Sequence, residues 1–324
     1  MTSRILFEQY IAERHALGFS AKTDEGCIRR FLQEYSDPDD GKIEFTKEYV
    51  LSHIGNRLNQ KTNTVLRDVS AVNGFLDFAI RKGYAAYKIP SKLLPKENRN
   101  FKAYIFTENE IERMLDAADN MPFSEQNPAR KYQVPVIFRI LFNCGLRTSE
   151  LLKLRICDVD LNENVFVILD TKFHKNRLVP FSIVVAESLS QYLEMFPPES
   201  PDSLLFPSGG PRSKGGRYGN GWLHTRFRQL LRMSNIPYGG PGKGPRPHDI
   251  RHTFAVHCLN RWVLSGEDLT AALPVLSRYL GHNGLPGTQK YLQLTAQMYP
   301  DIIKKMELCF GNLIPKMEVP DESD

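Results

Sequence analysis

Cysteine is sparse in this chain, and what there is lies scattered. The five thiols, Cys27, Cys144, Cys157, Cys258 and Cys309, form no C-x-x-C pair. An odd, widely spaced set excludes a disulfide-stapled scaffold and points to reduced thiols in an intracellular protein. No apolar run reaches the roughly eighteen residues that a membrane span takes, and no charged-then-apolar leader opens the chain. A cytoplasmic protein with no membrane partner is therefore expected. Internal repeats and low-complexity segments are also missing. The most informative absence concerns charge of one sign. Between Ser203 and His248 there is no Asp or Glu, while Arg212, Lys214, Arg217, Arg226, Arg228, Arg232, Lys243 and Arg246 all fall there. A net charge of +5 spread evenly over 324 residues would say little. Concentrated in one window, it favours a polyanionic partner.

What is present is a globular composition, 41% hydrophobic and 24% charged, with length for one large or two ordinary domains. Residues 4–82 read as four helices. Gly18 stops the first, Ser20 caps the second, Thr46 the third and Thr62 the fourth, whose Val65, Val69, Val72, Phe75, Leu76 and Ala79 make one apolar stripe. Residues 83–106 change character: Pro90, Pro95, Lys92, Lys96, Arg99 and Lys102 suggest an extended basic linker. Thr107 and Glu110 have capping-box spacing, and a buried helix over about 131–143 ends at Gly145. Two β-rich runs, Val165 to Leu169 and Arg177 to Pro180, flank a polar connection of hairpin length that carries Lys172. Helical patterns follow at about 183–195, 222–233, 248–261, 268–280 and 295–309, with a turn before Tyr291.

Within this order lies Arg246-Pro247-His248-Asp249-Ile250-Arg251-His252. At a helix start, His248 and Arg251 share a face and can address one anion together, as phosphoryl chemistry requires. The same letters admit a zinc reading, because His248-Asp249-x-x-His252 is one methylene from HExxH. Arg147 after a buried helix, Lys172 in a turn, His282 after Leu280-Gly281 and Tyr291 are each unremarkable alone. Their information is in the set.

Taken together, Gly145-Leu146-Arg147-Thr148-Ser149-Glu150-Leu151, Lys172 with Lys175-Asn176-Arg177-Leu178-Val179-Pro180, His248-Asp249-Ile250-Arg251-His252-Thr253-Phe254-Ala255, Leu280-Gly281-His282 and Tyr291 resemble the boxes of the tyrosine recombinase (phage integrase) family. The resemblance spans about residues 107–310 by motif, and the simple two-domain layout is similar to the Xer-like and mobile-element members. It implies a mainly α fold with a small antiparallel β-sheet. The domains would be an N-terminal helical core-DNA-binding domain at 1–88, a basic linker at 89–106 and a catalytic domain at 107–324. It also implies site-specific cleavage and rejoining of DNA through a 3′-phosphotyrosine intermediate, in integration, excision or resolution. The partners would be double-stranded DNA recombination sites and a DNA-induced homotetramer, in the cytoplasm at the nucleoid.

The implied catalytic set is Arg147, Lys172, His248, Arg251, His282 and Tyr291, with Glu150 in support. Tyrosine suits reversible chemistry because the phenoxide is a competent leaving group. Two arginines can bind the non-bridging oxygens without a metal or other cofactor. Lys172 is the candidate acid for the departing 5′ oxygen, and the histidines donate to phosphate or help deprotonate the tyrosine. Candidate DNA contacts are Lys96, Arg99, Lys102, Arg212, Lys214, Arg217, Arg226, Arg228, Lys243 and Arg246. In this reading His252 becomes structural. His252→Ala should then lose stability before chemistry, and Arg251→Ala the reverse. Pro286-Gly287 departs from the family pattern and suggests a loose turn that delivers Tyr291 only in the assembled complex. The alternatives are a type IB topoisomerase with the same residues, a DNA-binding regulator that has lost catalysis, and a zinc-dependent hydrolase built on His248 and His252.

Overall fold

The computed structural model describes residues 2–19, 22–39, 41–57, 59–94, 103–169, 176–209, 215–240, 243–282, 284 and 286–298. Lys96, Arg99, Lys102, Lys172, Arg212 and Lys214 lie outside the described residues, as do the Ser20 cap and everything beyond Met298. The chain divides into two compact units, Met1–Lys102 and Ala103–Asp324.

The first unit is built from α1 (Ser3–Ala16), α2 (Lys22–Gln33), α3 (Lys47–Gly55) and α4 (Thr62–Arg81). Gly18 follows α1 with φ 78°, a left-handed stop that glycine accepts without strain. Thr46 accepts from the Tyr49 amide and caps α3. Thr62, expected as a cap, is instead the first helical residue of α4, and Lys61 precedes it without a side-chain cap bond. The apolar stripe of α4 is core, with Val72, Phe75, Leu76 and Ala79 all at 0% exposure against Leu6, Ile28, Phe31 and Phe45. A two-residue parallel pair, β1 (Glu44–Phe45) with β2 (Ala85–Ala86), ties the loop before α3 to the segment after α4. It is too short to leave a period in the sequence.

In the second unit, α5 (Glu108–Asp119) opens with the capping box of Thr107 and Glu110. The central helix α6 (Arg130–Cys144) buries Val134, Ile137, Phe138 and Leu141 and ends at Gly145, φ 57°. A one-turn helix, α7 (Thr148–Leu151), precedes a three-stranded antiparallel sheet of β3 (Val159–Asp160), β4 (Val165–Ile168) and β5 (Arg177–Pro180). Phe166 pairs with Val179 and Ile168 with Arg177. Helices α8 (Ile183–Met195), α9 (Asn220–Met233), α10 (Pro247–Ser265), α11 (Leu269–Leu280) and α12 (Pro286–Met298) complete it.

The fold is mainly helical with a small antiparallel sheet. Two boundaries differ from the sequence expectation. The stretch 89–106 is packed at its described ends: Ile89 joins the first core, while Ala103, Ile105 and Phe106 join the second. The last described helix begins at Pro286 and carries Tyr291, where a turn followed by a helix at 295–309 was expected. Proline at a helix start presets φ and sacrifices no needed donor, so Pro286 opens the helix and does not loosen a turn.

Candidate active site

The site forms where two helix C-termini and one helix N-terminus meet. Helix α11 ends in a Schellman turn at Gly281, φ 68°. The His282 amide returns to Ser277 O at 3.0 Å and the Gly281 amide to Arg278 O at 2.9 Å. That motif leaves the next three carbonyls without helical partners, and each receives an arginine. Arg177 Nε donates to Tyr279 O at 2.7 Å, Arg251 donates through Nη2 to Leu280 O, and Arg147 Nη2 donates to Gly281 O at 2.8 Å. Arg251 also donates through Nη1 to Gly145 O at 2.9 Å, so it spans the ends of α6 and α11. Cations at helix C-termini are favoured by the helix dipole as well as by these bonds. Both glycines have a left-handed backbone that favours glycine, and both are crowded, Gly145 the more tightly. A Cβ at Gly145 would lie 2.4 Å from Phe254 Cδ1, and one at Gly281 3.0 Å from Arg177 Nη1.

Glu150 binds two of the three arginines. Arg177 meets it in fork geometry, Nη1 to Oε1 at 3.1 Å and Nη2 to Oε2 at 2.8 Å, and Arg147 Nη1 meets Oε1 at 2.6 Å. The Arg147 amide also donates to Oε2 at 3.0 Å. Burial alone would raise the Glu150 carboxyl, but Arg177 and then Arg147 overcome it and bring the group down to about 2. Arg251 is 2% exposed. Burial, followed by the Arg147 cation, lowers it to about 10, so it stays charged at neutral pH.

Helix α10 supplies the histidines that flank Arg251. Pro247 is its first residue, and Asp249 caps the Arg246 amide at 2.9 Å. His248 and His252, one turn apart, meet edge-on with ring centres at 4.8 Å. His248 stands exposed at the mouth of the site, and crowding by the surrounding protein, then Arg251 and Lys290, press it down to about 4. His282 Nδ1 lies 2.9 Å from Thr288 Oγ1 at the start of α12. Gly287 makes room for that ring, since a Cβ there would come within 3.3 Å of His282 Cγ.

Tyr291 is 1% exposed. Its ring stacks on His282 at 5.9 Å and 20°, its hydroxyl lies 3.2 Å from His252 Nδ1, and the Arg251 cation is near enough to act on the phenol. Burial raises the phenol above its ordinary value, against the pull of Arg251 and Arg147. This counts against the expectation of a loose turn that delivers Tyr291 only in the assembled complex: the side chain is already buried against His252, on a helix that begins before it. His252, taken from sequence as structural, touches the very oxygen expected to react.

Of the sequence-predicted residues, the structure brings Arg147, Glu150, His248, Arg251, His282 and Tyr291 together, and Lys172 lies outside the described residues. Of the basic candidates that are described, only Arg246 stands at the site, at the start of α10. Arg217, Arg228 and Lys243 are exposed. Arg226 is half-buried and donates to Gln229 at 2.7 Å, while Arg246 is paired with the buried Asp249 at 3.1 Å. Sequence reasoning missed Arg177 and the role of His252. Strand alternation held the signal for Arg177, because it shares a face with the core residue Val179 while Leu178, 64% exposed, faces out. The zinc reading fails on geometry. His252 is engaged with Tyr291, and among the described residues no three His, Cys, Asp or Glu side chains form a metal-binding group.

The site predicts a pH dependence of stability. His252 is held down to about 3 by burial and then the His248 and Lys290 charges, and His282 to about 4 by burial and then Arg251 and Arg147. The unfolded chain takes up protons near the ordinary histidine value of 6.5, and the folded protein refuses them until far lower pH. These groups therefore favour the fold fully above that value and less as pH falls toward about 4. Melting temperature should drop between about pH 7 and 5, above the range where carboxylates titrate. The drop should be shallower in His252→Gln, and a flat profile in the wild-type protein would contradict the assignment.

Arginines converge around a buried tyrosine hydroxyl with histidines at the rim, an arrangement suited to holding an anionic phosphoryl group. Comparison with known proteins supplies the family. The phage integrase family model matches residues 105–298, and the chain belongs to that family, the tyrosine recombinases. A putative integrase/recombinase, y4rB, of Sinorhizobium fredii is 29% identical over 94% of this chain and 97% of its own. The tyrosine recombinase XerC of Staphylococcus carnosus is 28% identical over 73% of each chain. In fold the chain is similar to the Tn1549 transposon integrase in complex with transposon right-end DNA (TM-score 0.62, 17% identity, 94% of this chain and 99% of that one). It is likewise similar to a lambda integrase dimer bound to a COC′ core site (TM-score 0.61, 15% identity, 90% and 95%). Topoisomerase and zinc-hydrolase readings are not favoured beside these relatives.

Proposed function

We propose that the protein is a site-specific DNA recombinase that cuts and rejoins duplex DNA through a covalent 3′-phosphotyrosyl intermediate on Tyr291. The observation that carries this reading is the seating of the Tyr291 hydroxyl against Arg251 and His252, with Arg147 and His282 beside it. A scissile phosphate entering from the His248 side would meet the free N–H groups of Arg147 and Arg251. Its non-bridging oxygens would take charge-assisted bonds there, and His248 and His282 would donate or relay protons. Tyr291 passes its phenol proton to a neighbouring neutral imidazole, its oxygen bonds to phosphorus, the bond to the 5′ oxygen breaks, and Lys172 gives that leaving oxygen a proton. Reversal rejoins the strand. In this reading Glu150 orients Arg147.

The proposal extends to assembly and place. Exchange between two DNA sites requires several protomers, so a homotetramer forms on DNA, inside the cell at the nucleoid. The N-terminal helical unit grips the duplex together with the basic residues of the 207–246 window and the segment around Lys96, Arg99 and Lys102. The decisive test is incubation with a nicked suicide duplex that lets the cut fragment diffuse away. A protein–DNA adduct that resists denaturant, forms in EDTA and is destroyed by protease supports the reading. A second expectation concerns binding. Neutralising Arg212, Lys214 and Arg217 together to Gln should reduce the slope of log affinity against log salt by about 2 to 3. An unchanged slope would remove that segment from the DNA interface.

A further inference from the structure

Arg177 belongs to no part of the chemistry proposed above, yet its placement is costly. It is a charged side chain only 6% exposed, on the inward face of a β-strand, opposite Ile168. Three of its five donor hydrogens are directed at two groups, the Glu150 carboxylate and Tyr279 O. If charge compensation were its whole purpose, one bond to Glu150 would serve. The actual geometry closes a ring: Arg177 fixes Glu150, Glu150 fixes Arg147 through both its side chain and its amide, and Arg147 returns to Gly281 O, two residues beyond the carbonyl that Arg177 holds. The end of α11 thus acts as a ruler on which Arg177, Arg251 and Arg147 occupy three successive carbonyls.

We infer that Arg177 is a positioning residue for the cleavage reaction: through Glu150 and the α11 carbonyls it sets the direction in which Arg147 presents its remaining N–H groups to the scissile phosphate. This inference rests on the strand-transfer reading and adds a residue to it. Arg177 touches no reacting atom. Its effect appears only as charge develops on the non-bridging oxygens, because Arg147 is the group it aims. A lysine would keep the charge and lose the fork, since one ammonium cannot hold two carboxylate oxygens and a carbonyl in a plane.

The test compares two nicked suicide duplexes under single turnover at saturating protein, one with the natural scissile phosphodiester and one with a methylphosphonate there. The methyl group replaces one non-bridging oxygen, so less negative charge develops and a misaimed arginine matters less. Arg177→Met should form adduct about 100-fold more slowly than wild type on the diester, and within a factor of about three on the methylphosphonate. Arg177→Met leaves Glu150 with one arginine partner and threatens folding, so Arg177→Lys, which keeps the charge opposite Glu150 and loses the fork, is run beside it. The lysine variant should show the same substrate-dependent loss with a melting temperature closer to that of wild type. Equal losses on both duplexes, in variants that still bind DNA, would make Arg177 a packing residue and overturn the inference. Wild-type rates on the diester would do the same. Failure of the wild-type protein to form any adduct on the diester would overturn the strand-transfer reading itself, and this role with it.

Discussion

Tyr291→Phe is expected to abolish the covalent DNA adduct while leaving the protein folded and able to bind its DNA. The phenyl ring keeps the stack on His282 and the packing of α12 along α10, so the loss is confined to one hydroxyl, its bond to His252 and the pull of Arg251. Loss of that hydroxyl costs about 1 kcal/mol of stability. The chemical loss is complete, because no other side chain replaces an attacking oxygen that must remain attached to the DNA end. Denaturing electrophoresis of a labelled suicide duplex reads the adduct, and a mobility shift under native conditions reads binding. Residual adduct in Tyr291→Phe would place the nucleophile elsewhere and undo the site.

Arg251→Ala has the second largest expected effect, and the structure alters its character. From sequence alone this variant should lose chemistry and spare stability. Its guanidinium, however, serves the Gly145 and Leu280 carbonyls in a buried setting. Each orphaned carbonyl costs about 1–3 kcal/mol, so the melting temperature should fall by several degrees. Adduct formation should fall by about 10³- to 10⁵-fold, the range for losing an arginine that stabilises a transferring phosphoryl group. Arg251→Lys should recover part of the stability and little of the rate, because a single ammonium cannot span Gly145 O, Leu280 O and a phosphate oxygen at once. Rates near wild type in Arg251→Ala would show that phosphate binds without this arginine.

Much of this architecture is legible in the residues. The α4 stripe, the Thr107 capping box, the Gly145 stop and the hairpin around 165–180 follow from periodicity and turn chemistry, which are local. That Arg147, Glu150, His248, Arg251, His282 and Tyr291 belong together was legible because each stands in a recognisable local frame. What escaped is what depends on distant segments meeting. Nothing near Arg177 announces that a carbonyl at the end of α11 lies within its reach, since Tyr279 is more than a hundred residues away in sequence. His252 reads as one more residue on a helix face until α12 brings Tyr291 against it. The Thr62 error is a different kind: threonine is acceptable both as a cap and at a first helical position, and tertiary packing of α4 chose the latter.

The charges gathered at the end of α11 bear on which state of the DNA this enzyme recognises best. Three guanidinium groups converge there, two of them on one carboxylate, and Lys290 adds a further cation near Arg251. At least two units of positive charge are left over. A resting phosphodiester brings one negative charge, whereas the five-coordinate arrangement formed as a deprotonated tyrosine oxygen attacks brings close to two. The pocket therefore matches DNA in the act of being cut better than it matches intact DNA. Cutting and rejoining pass through that same geometry, so both barriers fall by the same amount and the balance between the two directions is left to the DNA ends.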